Sequence, residues 1–277
     1  MHAQPFRPPR PATAAAIVLA VALAPGSTFA QTTAGPGPFF EARDAWIASA
    51  YVGAAALAFP FDEAIAVEIQ ASPLRATSSL RRTSRAFDLL GVPGTVILGP
   101  GLYGAGRLLD RPEMADVGLH VTEAFLVAEI LTGVLKYTAG RSRPRRDVHA
   151  PFDFRLFRGF EGSDYKAFPS GHTSGAFAVA ATLAHEMERL WGGSPWLYGV
   201  VTYGPAALVG FSRMFDNAHW TSDVVFGAAI GAFSGWKVVK YNHENPDNRV
   251  NRWFLAGSIT PGSPGTFRLA VLPVAFR

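Results

Sequence analysis

The chain has 277 residues, 49% hydrophobic and only 17% charged, enough apolar material for one substantial domain with a large core. So little charge is unusual for a cytosolic enzyme and points toward an envelope or membrane protein, while the formal charge of +4 comes from basic residues gathered in two loops and gives no reason to expect a nucleic-acid partner. Cysteine is absent, which excludes a disulfide framework, a thiolate metal site and a cysteine nucleophile.

Arg7 and Arg10 precede an apolar run from Ala12 to Ala24, and small residues follow up to Ala30. A basic start, a short apolar stretch and small residues before a cut read as an export signal over residues 1–30, because the run is too short to span a bilayer comfortably. Its removal takes away two arginines and no acid, lowering the formal charge from +4 to +2. Residues 31–41 read as a linker of Gly, Pro and Thr. An apolar helix is expected from Ala42 to Phe59, stopped by Pro60. The more polar stretch 62–88 carries Arg75, Arg81, Arg82 and Arg85, a solvated or lipid-facing strip on amphipathic helix. Leu89 to Leu109 is apolar and helical in character, but its glycines and prolines blur the ends.

Pro112 to Thr138 is the clearest helix, with Pro at its start, long apolar periodicity and Gly140 just past its end. Residues 140–168 form a long basic loop, and Phe152, Phe154, Phe157, Phe160 and Tyr165 argue that it is ordered. Further helices are predicted over Ser170–Trp191, Pro195–Phe215 and Thr221–Tyr241. In the tail the period changes, and two short runs around Pro261-Gly262-Ser263-Pro264-Gly265 suggest a β-hairpin. The expected fold is therefore all-α, a helical bundle over residues 42–245 with a C-terminal extension, 246–277, that carries the small hairpin.

Three stretches fall at helix ends. Lys136-Tyr137-Thr138-Ala139-Gly140-Arg141-Ser142-Arg143-Pro144 leaves the clearest helix, and Pro169-Ser170-Gly171-His172 opens the next one. Ser212-Arg213 closes a third helix, shortly before His219 and Asp223 at the start of a fourth. In an antiparallel bundle these ends meet at one face. There they supply three cations (Lys136, Arg143, Arg213), the free amides of a helix start with Ser170 as its cap, and two histidines, a set matched to a tetrahedral oxyanion. His219 and Asp223 are four apart and share a helical face, so the carboxylate can take the Nδ1 proton of His219 and leave Nε2 free as a nucleophile.

The three motifs, in this order and spacing, resemble the tripartite signature of the phosphatidic acid phosphatase type 2 / vanadium haloperoxidase superfamily. The resemblance spans residues 136–223 and implies a helical bundle with metal-independent phosphatase activity and no cofactor. It further implies that His219 attacks phosphorus to form a phosphohistidine, that His172 protonates the leaving group and then activates water, and that Asp223 orients His219. Lys136, Arg143, Ser170, Gly171 and Arg213 then bind the phosphate oxygens. A vanadium-dependent haloperoxidase and a non-catalytic envelope protein are the alternatives.

Other features carry less. His185-Glu186 begins the zinc motif His-Glu-x-x-His, but Arg189 stands where the second histidine belongs, so no metal is read there. His120, Glu123 and Glu129 read as structural, with Glu129 on the face of Lys136; His149 and Asp153 are within reach of a substrate. The uncharged run from Leu190 to Ser212 is long enough to span a bilayer. An exported, periplasmic bundle is expected, with an integral inner-membrane enzyme as the alternative. Its partner is a phosphorylated small molecule or a lipid phosphate: phosphatidate, phosphatidylglycerophosphate, undecaprenyl pyrophosphate, lipid A phosphate or a soluble ester.

Overall fold

The structure, a computed structural model, describes residues 39–254 and the backbone of two tail strands. The expected export signal and residues 31–38 of the linker lie outside the described residues. Among the described residues eight α-helices follow one another: α1 Ala42–Ala56, α2 Asp62–Ala71, α3 Ser78–Leu108, α4 Pro112–Ala139, α5 Gly171–Trp191, α6 Pro195–Phe215, α7 Thr221–Glu244 and α8 Arg249–Phe254. The all-α bundle expected from the sequence is what folds. The hairpin expectation falls on a stretch of which only Ser258–Pro261 and Phe267–Ala270 are described, as antiparallel partners.

Two boundaries differ from expectation. The stretches 62–88 and 89–109 regroup: α2 stops at Ala71, and α3 runs from Ser78 through the apolar part to Leu108. Gly91 breaks α3 with ψ −106, and its two halves meet at 50°. The uncharged run Leu190–Ser212 is not one helix, because Gly192 (φ 63) and Gly193 (φ 93) take left-handed conformations between α5 and α6. Among the described residues the straight helix long and apolar enough to cross a membrane is instead α4, half buried over that stretch.

α5 and α7 form the centre of the bundle, and a stripe of glycines explains how closely they approach. A Cβ on Gly227 would meet the Ser170 carbonyl oxygen at 2.5 Å, one on Gly231 the Ser174 oxygen at 2.2 Å, and one on Gly235 the Ala178 oxygen at 2.6 Å. Glycine every fourth residue on α7 faces small residues on α5, the arrangement that lets two helix backbones touch. Phe177, Val209, Val224, Val225 and Ala228 fill the core against α6. α4 and α3 pack around this pair, and Lys237 of α7 is buried in a 2.5 Å ion pair with Asp44 of α1. The tight α5–α7 contact places the start of α5 beside the start of α7. That juxtaposition builds the site.

Candidate active site

The first motif leaves α4 through Gly140, which adopts φ 56, ψ 40. A side chain there would be strained and would also collide, since a Cβ would lie 2.1 Å from the Arg155 carbonyl oxygen. The turn aims Arg143 back over the bundle, where its N–H donates to the Asp164 carbonyl at 2.9 Å and its Nε to the Ser163 carbonyl at 2.8 Å. Lys136, one turn before the helix end, brings its ammonium to the start of α5: a Cβ on Gly171 would meet Lys136 Nζ at 3.0 Å and Glu129 Oε2 at 3.3 Å. Gly171 therefore makes room for the Lys136–Glu129 pair.

Ser170 stands at the N-cap of α5 and is fully buried, but its hydroxyl does not cap the helix. Its Oγ accepts from the Thr173 hydroxyl at 2.9 Å, and its N–H donates to the Asp223 carbonyl at 2.9 Å. His172 follows in the first turn and points Nε2 at Asp88 Oδ1, 3.0 Å away on α3. Burial, with Lys136 and Arg143 nearby, pushes His172 down to about 4. Asp88 also pairs with Arg213 Nη1, while Arg213 Nη2 reaches Asp216 Oδ2 at 3.2 Å. Arg213 Nε is buried without a partner, a donor that an anion in the site would satisfy.

His219 is buried, and its Nδ1 lies 2.6 Å from the Ala167 carbonyl oxygen. A carbonyl only accepts, so Nδ1 carries the proton and Nε2 keeps a free lone pair. Asp223, expected to orient His219, stands with Oδ2 3.7 Å from Nδ1, beyond hydrogen-bond length, and both of its oxygens have other donors. Oδ2 accepts the Trp220 N–H at 2.8 Å, capping α7, and Oδ1 accepts from Arg141 Nη1 at 2.6 Å. Burial, followed by the charges of Arg143, Lys136 and Arg213, holds His219 well below the ordinary histidine range, so the ring is neutral.

Arg141 is the residue the sequence reading passed over. It is 0% exposed, although it sits in a loop whose Arg145 and Arg146 are exposed. Its guanidinium donates to Asp62 Oδ2 (2.7 Å), Ser222 Oγ (2.7 Å), Asp223 Oδ1 and the Pro151 carbonyl, with the rings of Phe59, Phe154 and Trp220 packed over it. Asp62 in turn accepts the Ser222 N–H at 2.8 Å. Burial, with Asp223 adding a like charge, raises Asp62 to about 6 against the pull of Arg141. Removing one partner of such a buried ionic cluster leaves an uncompensated charge, at a cost of about 3–5 kcal/mol. The main chain ties the same parts together: the Ala167 N–H donates to the Arg141 carbonyl at 3.1 Å and Trp220 Nε1 to the Ser142 carbonyl at 2.8 Å.

The eight residues expected in the site are thus brought to one end of the bundle, and Asp88, Glu129, Asp62, Arg141 and the Ala167 carbonyl join them. The spacing from Lys136 placed Glu129 on its face, but nothing in the local sequence distinguished Asp62, Asp88 or Arg141 from surface acids and loop arginines. His149 and Asp153 do not join: His149 pairs with Glu63 of α2 and Asp153 with Arg158 of its own loop.

Residues 118–247 match the model of the PAP2 superfamily. The chain is 40% identical over 100 residues to the lipid A 1-phosphatase of Porphyromonas gingivalis, covering 36% of this chain and 18% of that protein. It is 26% identical over 140 residues to the undecaprenyl-diphosphatase of Sulfolobus acidocaldarius, covering 50% of this chain and 62% of that one. The chain spans less than two thirds of the length of these curated relatives. A solved structure, the transmembrane PAP2 type phosphatidylglycerolphosphate phosphatase from Bacillus subtilis, aligns over 86% of this chain and 98% of that chain, with 22% identity and a TM-score of 0.40.

Proposed function

We propose, from the premise that residues 118–247 belong to the PAP2 superfamily, that the protein is a phosphoric ester hydrolase acting on a lipid phosphate through a phosphohistidine. The observation that carries the reading is the tautomer of His219. Its Nδ1 is tied to the Ala167 carbonyl, and its unprotonated Nε2 is left among Lys136, Arg143 and Arg213. A neutral nitrogen nucleophile beside three cations suits attack on an anionic phosphorus.

Phosphate oxygens take the place of Asp88 on Arg213 and lie against Lys136, Arg143, Ser170 and the Gly171 amide. The Nε2–P bond forms as the P–O ester bond breaks, and His172 gives its proton to the leaving oxygen. The bound phosphate offsets the charges that hold His172 down, so the ring regains affinity for that proton. Water then attacks phosphorus with His172 as base, which breaks the N–P bond and releases phosphate. No metal is invoked in this chemistry, since the guanidinium and ammonium groups supply the positive charge.

A lipid substrate is favoured by the surroundings. A cavity of about 310 Å³ is lined by Ile69, Leu74, Leu80, Phe87, Phe211 and Phe215. Its wall also includes Ser212, which adjoins Arg213, as Phe87 adjoins Asp88. An acyl or isoprenoid chain fits such a lining, with the phosphate held at Arg213. Leu126, Ile130 and Val134 on α4 and Trp196, Leu197 and Val201 on α6 are exposed, which suits contact with a bilayer. The relatives named for lipid A and undecaprenyl diphosphate act on this class of compound.

His219→Ala and His172→Ala are each expected to abolish release of phosphate from both a soluble phosphomonoester and phosphatidate in detergent micelles, with the helical circular dichroism intact. Wild-type turnover in the His219 variant would overturn the mechanism. Hydrolysis of the soluble ester alone would keep the mechanism and remove the lipid substrate.

A further inference from the structure

The end of the bundle opposite the active site holds a second buried polar cluster. Asp116 and His120 sit near the start of α4, Glu186 and Arg189 near the end of α5, and His243 at the end of α7. The helical rise from His172 to Glu186 puts about 21 Å between this cluster and the catalytic face.

Glu186 organises it. Its Oε1 accepts from His120 Nδ1 at 2.7 Å and from His243 Nε2 at 2.8 Å, and its Oε2 from Arg189 Nε at 2.8 Å. A carboxylate that accepts from both rings fixes the proton of each neutral imidazole on that side and leaves the other nitrogen with a lone pair. For His120 that nitrogen is Nε2. It is buried in a side chain 1% exposed, makes no hydrogen bond, and faces Asp116 Oδ1 at 3.5 Å. In that tautomer two acceptors face each other, the buried His120 Nε2 and the partly exposed Asp116 Oδ1, with no positive charge between them.

The donor atoms of Asp116, His120 and His243 all lie within 4.8 Å of one another. Tetrahedral ligands of one zinc ion stand about 3.4 Å apart, so closing the site takes a side-chain shift of up to roughly 1.4 Å for the widest pair. Carboxylates gather around the two rings: Arg189 pairs with Glu186 at 2.8 Å and lies 3.9 Å from Asp116, and Glu123, one turn beyond His120, is held by Asn242 Nδ2 at 2.6 Å.

We propose that Asp116, His120 and His243 bind one divalent transition-metal ion of zinc type, with Glu186 holding both imidazoles in the ligating orientation. Two imidazoles and a carboxylate without thiolates suit zinc, with water or a further carboxylate in the fourth position. The ion clamps the start of α4 to the end of α7, and through Glu186 to the end of α5. Its role is structural and independent of the phosphatase reading. Glu186, which in sequence began an incomplete zinc motif, finds its histidines on two other helices.

The test uses the full chain, free of any histidine tag, stripped with chelator and dialysed against zinc. One zinc per chain by elemental analysis, a visible absorption band on cobalt substitution and a zinc-dependent rise in thermal midpoint are expected. Asp116→Asn and His243→Gln should each lose the stoichiometric zinc and the thermal response. Glu186→Gln should weaken binding by about 10–100-fold, while His172→Ala and His219→Ala retain it. Absence of stoichiometric zinc in the wild type overturns the proposal and leaves His120 as an imidazolium between Asp116 and Glu186. Zinc retained when Asp116 and His243 are both changed, or lost in the His172 or His219 variants, overturns it in favour of the catalytic face. Should the cluster variants fail to fold, the wild-type zinc content and cobalt spectrum decide it.

Discussion

His219 owes its tautomer to a main-chain carbonyl, and this separates two ways of damaging the site. The Ala167 oxygen at 2.6 Å holds the Nδ1 proton whatever stands at position 223. Asp223, at 3.7 Å, contributes a buried negative charge and caps α7. Asp223→Asn keeps the cap acceptor and the tautomer but weakens the link to Arg141. Its loss of turnover is therefore expected to fall well short of the roughly 10⁴-fold seen when a carboxylate that sets the tautomer of a triad histidine is made an amide. Steady-state rates on a phosphomonoester, measured beside the His219→Ala background, check this. A loss as deep as that of His219→Ala would mean that Asp223 moves onto Nδ1 during the reaction. The spacing of His219 and Asp223 could be read on a helix face, but the competition for Asp223 could not. The Trp220 cap is local, but Arg141 reaches Asp223 only after the chain has closed on itself.

At the scale of elements, the site depends on where helices end. Gly140 turns the chain out of α4 so that Arg141 goes inward and Arg143 toward the start of α5. Gly140→Ala puts a side chain in the left-handed region, about 1–2 kcal/mol by itself, and a Cβ 2.1 Å from the Arg155 oxygen. Destabilisation of about 2 kcal/mol or more in urea unfolding is expected, with a fall in turnover because Arg143 moves with the loop. An unchanged midpoint would show that the turn relaxes without cost. The start and end of α4 were legible from Pro112 and Gly140, since capping chemistry is local. The join of the stretches 62–88 and 89–109 into α2 and a bent α3 was not, because the break at Gly91 answers to His172. A Cβ on Gly91 would lie 2.8 Å from the His172 ring, a contact made across 81 residues of chain.

For the whole molecule, the exposed apolar residues of α4 and α6 and the apolar cavity whose wall includes Ser212 argue for life at a bilayer. The protein is expected to stay in the membrane pellet after a carbonate wash, and to require detergent for extraction. Release by carbonate would return it to the exported, periplasmic form expected from the sequence, and would point its site at soluble esters. The uncharged run Leu190–Ser212 looked the best spanning segment, yet the left-handed pair Gly192 and Gly193 divides it, and α4 takes that description instead.

By itself the sequence determined the helical class, the three motifs and the family they resemble, and the identity of the charged groups, because each rests on local periodicity, capping residues or fixed spacing. Tertiary structure alone decided which partner each group has. Arg141 is buried among Asp62, Ser222 and Asp223, Asp88 lies across His172 and Arg213, and the Ala167 carbonyl holds His219. The two histidines at the far end of the bundle come together on Glu186 by the same means. Charges and hydrogen bonds act over a few ångströms through space. Residues far apart in the chain become neighbours only when α5 and α7 close on their glycine stripe.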